Sequence, residues 1–236
     1  MGVIGADALQ QAQATTAVEA LRAVPGVHVA RMGGGQHGLA LRGIDGLLGD
    51  APLVLVDGRP AAVPGLATTL FAVLPFQSVA LQRVEVVRGP AVALHGPAAR
   101  AGVVHVITQD AFEASGTHGA LTGGTGPFGR GRVRHAAVIG HTFGYDIAAH
   151  GARASDPPAV AGRRDGDRWT AGVRGRAIYR LDDQTTIGAQ GGYTAVAGQW
   201  PSAVGGVQAN PLGVAFTRLW MDAGGLRAQV GLTNAQ

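Results

Sequence analysis

The chain has 236 residues, and a hydrophobic fraction of 46% is enough for a core in one large or two small domains. The net charge is +4, but the arginines are dispersed and aromatic residues make up only 5%, so no basic run or stacking platform for nucleic acid emerges. The absence of cysteine excludes a disulfide framework and a thiolate metal site, and no apolar run approaches the ~20 residues of a membrane-spanning helix.

In chain order, residues 1–14 read as an N-terminal extension with no visible secretory leader. Thr16 to Val24 has the pattern of a short helix. Thr16 and Glu19 stand at capping-box spacing, Val18, Leu21 and Val24 recur at helical intervals, and Pro25-Gly26 ends the segment. Short strands are predicted over Val27–Arg31, Leu39–Arg42, Leu53–Val56, Val84–Arg88 and Val103–Thr108, each bounded by Gly or Pro. Residues 15–112 therefore read as a small mixed α/β domain.

Beyond it the pattern changes. Residues 113–236 alternate apolar and polar side chains with a period of two. Phe143, Tyr145, Ile147 and Ala149 fall on one face, with Asp146 and His150 on the other. Val173, Ala177, Tyr179 and Leu181 oppose Arg174, Arg176 and Arg180, and Ile187, Ala189 and Tyr193 oppose Thr186, Gln190 and Thr194. Strands between lipid and a wet lumen require this pattern. Connections alternate as well: Gly140–Thr142 and Leu181–Gln184 are short, whereas Ala154–Asp167 and Ala197–Pro211 read as long loops. Seven strands are predicted, at about 117–123, 129–139, 143–153, 168–180, 185–195, 212–221 and 225–233. Seven cannot close a single-chain barrel, which takes an even number of about eight or more, so the barrel is expected to be incomplete and truncated. A soluble sandwich is the rival reading, and it would turn the apolar strand faces inward against a second sheet.

The first ~110 residues resemble the plug domain of TonB-dependent outer-membrane receptors, through six segments in the family's order. These are Val18–Val27, Leu39-Ala40-Leu41-Arg42-Gly43, Leu53–Pro60 with its Asp57-Gly58 turn, Arg83–Pro90, Ala91–Gly96 and Gly102–Thr108. Arg83-Val84-Glu85-Val86-Val87-Arg88-Gly89-Pro90 is similar to the family's segment almost letter for letter, while His95 and His105 depart from the Tyr and Asn usual there. The resemblance implies a mixed α/β plug followed by antiparallel strands of a transmembrane β-barrel in the outer membrane of a Gram-negative cell. It implies partners too: TonB for energy coupling, a scarce nutrient chelate such as an iron-siderophore or cobalamin, and membrane lipid, with no nucleic acid and no bound cofactor. No TonB box is legible. Arg42, Glu85 and Arg88 sit at strand positions where an isolated charge is costly to bury, and the resemblance implies that plug arginines such as Arg42 and Arg88 face acidic side chains of the barrel wall. Gly43 closes the motif segment that holds Arg42, Asp57-Gly58 is a turn dipeptide, and Gly89-Pro90 stops the Glu85 strand.

Other chemistry finds little support. Gly33, Gly35 and Gly38 satisfy G-x-G-x-x-G, but Leu39–Arg42 follows with strand-like alternation, not the helix a dinucleotide site needs, so a glycine hairpin is expected. His28 and His37 lack a carboxylate at ligand spacing. Ser78 and Ser115 lack a nucleophile-elbow context, and no paired carboxylates stand out as acid and base. The chain is not expected to be an enzyme.

Overall fold

The computed structural model describes residues 2–5, 18, 21–33, 36–41, 52–63, 69, 71, 81–124, 128–154, 168–202 and 205–236. The chain divides into two units. One comprises Met1–Thr108 with Gln199–Gln208, the other Gln109–Gly198 with Ala209–Gln236.

The first unit is built on a five-stranded sheet. Its strands are β1 (Gly2–Gly5), β4 (Leu53–Val56), β5 (Arg59–Pro60), β6 (Leu81–Arg88) and β7 (Gly102–Thr108), in the order β1-β6-β7-β4-β5. β7 runs parallel to β4 and antiparallel to β6, which makes the sheet mixed. A separate hairpin joins β2 (Val27–Gly33) to β3 (Gln36–Leu41). Both faces of the sheet are apolar, as the continuous Val/Leu runs require. Val54, Val56, Val84, Val86, Val104 and Val106 enter one cluster with Leu21, Val24, Leu39 and Leu41. Leu55 and Val103 enter a second with Ala91 and Ala99, beside the short helix α1 (Val92–His95). Burying each such Val or Leu side chain contributes about 1.5–3 kcal/mol, so this core is the main source of the unit's stability.

Several expectations are refined here. Within the expected helix Thr16–Val24, Val18 is helical and Leu21–Ala23 forms a 3-10 turn, and the rest lies outside the described residues. The turn is closed by Val24 N–H donating to the Leu21 carbonyl, and it ends at Gly26 with φ +78°. Gly2–Gly5, read from sequence as part of an extension, instead pairs antiparallel with β6 and buries Ile4 in the core. Gly33 lies in β2 and Gly38 in β3, so strand, where a dinucleotide site needs helix, holds both glycines; Gly35 lies outside the described residues.

The second unit carries a seven-stranded antiparallel meander. Its strands are β8 (Gly116–Gly123), β9 (Phe128–Ile139), β10 (Phe143–Ala154), β11 (Arg168–Arg180), β12 (Thr185–Ser202), β13 (Gly205–Ala223) and β14 (Leu226–Ala235). Each pairs with its sequence neighbours. One difference concerns Ala197–Pro211, expected as a long loop. Strand β12 runs through Ser202 and β13 begins at Gly205, with Pro201 and Pro211 inside the strands. Glycine and proline signal a turn locally, and both strands run on past that signal.

The sheet's two faces are inverted relative to a water-soluble protein. Val133, Ile147, Val173, Ile187 and Leu219 are exposed, Ile147 by 57% and Val173 by 55%. Arg134, Asp146, Arg174, Gln190, Thr194 and Arg218 on the alternate positions are buried, Asp146 to 1% exposure. A sandwich would reverse this arrangement, since it must hide its apolar face. Strands that meet hydrocarbon on one side and a polar lumen on the other require it.

Candidate functional site

Two polar clusters stand out, one in each unit. The plug cluster grows from the β4–β5 hairpin. Asp57 (φ +50°) and Gly58 (φ +82°) both take positive φ, the requirement of the two-residue turn that matches strand twist. Asp tolerates that conformation because its side chain bonds nearby backbone groups. Here the Asp57 carboxylate accepts from Thr108 N–H at 2.8 Å and from Thr108 Oγ1 at 2.9 Å, while Asp57 N–H donates to the Val106 carbonyl. The hairpin is thereby fastened to the last residue of β7.

His105 extends this network. Its Nε2 accepts from Gly58 N–H at 2.9 Å, which leaves the proton of the neutral ring on Nδ1, 3.8 Å from Glu85 Oε2. Burial lowers the His105 pKa, opposed by the negative charges of Glu85 and Asp57. Glu85 sits directly across the β6–β7 ladder from His105 and accepts from Arg83 Nε at 2.7 Å. Arg88 Nη1 donates to the Pro25 carbonyl at 2.6 Å, and Gly89 (φ +124°) with Pro90 ends β6. The structure therefore brings Asp57, Gly58 and Glu85 together around His105 and sets Arg88 against Pro25. Arg42 and Gly43 lie outside the described residues.

The wall cluster centres on Asp146. The carboxylate accepts from Arg174 Nη2 at 2.6 Å and from Arg176 Nε at 2.7 Å, and Arg134 Nε lies 3.9 Å away. Strand register produces the arrangement. Asp146 is directly opposite Arg176 on β11, whereas Arg174 and Arg134 stand opposite Ala148 on the two flanking strands, one step along the same face. Sequence periodicity placed Asp146, Arg174 and Arg176 on the polar face but did not show that they converge, and it did not select Arg134. The short turn at Gly140–Thr142 allows the Arg134–Asp146 relation to be counted through the hairpin. No such count reaches Arg174 and Arg176, because residues 155–167 intervene.

The two clusters differ in chemistry. Glu85 and Arg83 are partly solvated, so their pair is weak. Asp146 and its arginines are nearly fully buried, where an unmatched charge is costly. Neither cluster presents a nucleophile beside a base or an open set of metal-binding groups; their groups are spent on holding strands and turns.

A mixed sheet with two apolar faces precedes long antiparallel strands whose exposed face is apolar, the pattern of strands that meet lipid. Comparison with known proteins agrees. Residues 1–103 match the TonB-dependent Receptor Plug Domain family. The vitamin B12 transporter BtuB of Vibrio vulnificus is 34% identical over 125 residues, covering 52% of this chain and 20% of that protein. Among solved structures, the copper transporter OprC superposes with a TM-score of 0.75 at 18% identity, over 99% of this chain and 37% of that one. The siderophore receptor PirA from Acinetobacter baumannii superposes with a TM-score of 0.72 at 18% identity, over 99% and 40% respectively. At that identity the structural likeness speaks for the fold alone. Residues 1–103 belong to the plug domain family of TonB-dependent receptors, and antiparallel strands follow them; the chain spans about a fifth of the curated relative's length.

Proposed function

We propose that the protein containing this chain sits in the outer membrane and takes up a scarce nutrient chelate by active transport, with energy delivered by TonB. The observation that carries this reading is the pairing of a plug fold with a β wall whose apolar face is exposed and whose charged face is buried. Likeness to the vitamin B12 transporter BtuB supports a scarce-nutrient cargo. The reading assigns no catalytic step to the chain. Arg42 and Arg88 are proposed to reach acidic groups of the barrel wall in the whole receptor, holding the plug until TonB acts.

The test is uptake by Gram-negative cells that lack their own receptors and express the whole protein, with and without TonB. Radiolabelled cyanocobalamin, ferric siderophores and copper are the probes. Accumulation of one of them only when TonB is present is expected. Uptake of none, or uptake independent of TonB, refutes the proposal.

A further inference from the structure

The segment Gln109–Ala114, which leads from the plug strands into β8, is gripped by the wall cluster. Arg134 donates through Nη1 to the Ala114 carbonyl at 2.8 Å, and through Nη2 to the carbonyls of Asp110 at 3.1 Å and Gln109 at 3.3 Å. Arg176 donates to the Gln109 carbonyl while its Nε holds Asp146. The segment forms a turn of its own: Asp110 Oδ1 accepts from the N–H groups of Phe112 and Glu113, Glu113 Oε2 accepts from Asp110 N–H, and Ala114 N–H donates to the Asp110 carbonyl. Phe112 lies under the Arg180 guanidinium, 3.6 Å from ring centroid to Cζ. A Cβ at Gly144 would come within 2.7 Å of the Phe112 ring and 3.2 Å of Ala111 Cβ, so glycine there opens the seat. Ala111 is buried to 2% exposure.

We infer that this cluster is a latch: it keeps residues 109–114 docked on the wall while the domain upstream rearranges, so the boundary of the moving part falls at Thr108–Gln109. Asp146 acts by positioning. It orients Arg174 and Arg176 and offsets the charge of Arg134, so that the donors facing the segment stay in place. The latch rests on the transport reading, because only a moving plug needs a fixed end.

Cysteine labelling in cells tests it, using the whole protein with Ala111→Cys or, in the plug core, Ala101→Cys, and a water-soluble maleimide. The probes are cyanocobalamin and a ferric siderophore, with TonB present or absent. At rest both cysteines should resist labelling. Under TonB-driven uptake the Ala101→Cys site should label at least tenfold faster, and Ala111→Cys should stay protected. Adding Arg134→Gln or, separately, Asp146→Asn to Ala111→Cys should expose that cysteine at rest in protein that still reaches the outer membrane. Labelling of Ala111→Cys during uptake overturns the latch, as does continued protection in both wall variants. If Ala101→Cys never labels although uptake proceeds, nothing upstream moves and the latch is overturned; if no TonB-dependent uptake occurs, the transport reading fails instead.

Discussion

Replacing Asp146 with Asn isolates the electrostatics of the wall, because the side chain keeps its volume and loses only its charge. The carboxylate has two arginines at 2.6 and 2.7 Å and a third at 3.9 Å. Three cations against one anion leave +2 in the native cluster, and the substitution raises that to +3 at a site where Asp146 is 1% exposed. Breaking a buried pair from one side typically costs about 3–5 kcal/mol, much of it the penalty of the charge left behind. Asp146→Asn should lose stability in that range. Asp146→Asn combined with Arg176→Gln should recover about 1–3 kcal/mol relative to the sum of the single losses, since a repelling cation is gone. Urea unfolding of the whole protein in lipid vesicles, followed by tryptophan fluorescence, measures both. Trp169 and Trp220 lie in strands of the same sheet and report on it. A single-variant loss below about 1 kcal/mol, the range of exposed ion pairs, would refute the reasoning.

Gly102→Ala should destabilise the plug by roughly 2–4 kcal/mol in denaturant melts, because φ there is +139° and the new Cβ would meet the Val87 carbonyl and lie 2.6 Å from Leu41 Cδ1. Asp57→Ala should cost about 2–3 kcal/mol in the same assay through loss of both Thr108 hydrogen bonds to an ionised acceptor, and Asp57→Asn less, since Asn keeps the turn. His105 has a lowered pKa in the fold, caused first by burial, so the unfolded chain binds the proton more readily. Plug stability should therefore be full above about pH 6.5 and fall as the pH drops below it, a dependence that His105→Gln should flatten in melts across that range. Val173→Arg, on the exposed face of β11, should cost about 2–4 kcal/mol in vesicles, against little change for an equally exposed position in a soluble protein.

Much of this architecture is legible in the residues. The apolar runs Leu53–Val56 and Val103–Thr108 specify buried strands because both faces must be covered, and those strands form as expected. The alternation from Phe143 to Ala149 and from Val173 to Tyr179 specifies not only strand but which face is wet. Ala197–Pro211 is a miss because β12 and β13, neighbours in the sheet, run further than their local proline and glycine signals allow. The edge strand at Gly2–Gly5 escaped for a related reason: four residues have little intrinsic preference, and β6 supplies the template. The wall cluster was half visible. Charge alternation gives its face, but convergence on one carboxylate depends on the register between β10 and β11. The grip on Gln109–Ala114 uses backbone carbonyls, which every residue possesses, and so has no sequence signature.

The most direct test of the membrane-wall account is a spin-label scan of β11, one cysteine at a time from Ala171 to Tyr179, in the outer membrane of cells expressing the whole protein. Collisional access to oxygen should alternate with a period of two, high at 171, 173, 175, 177 and 179 and low at 172, 174, 176 and 178. Access that is uniformly low, or that alternates for water-soluble quenchers in protein recovered from the soluble fraction, would contradict it.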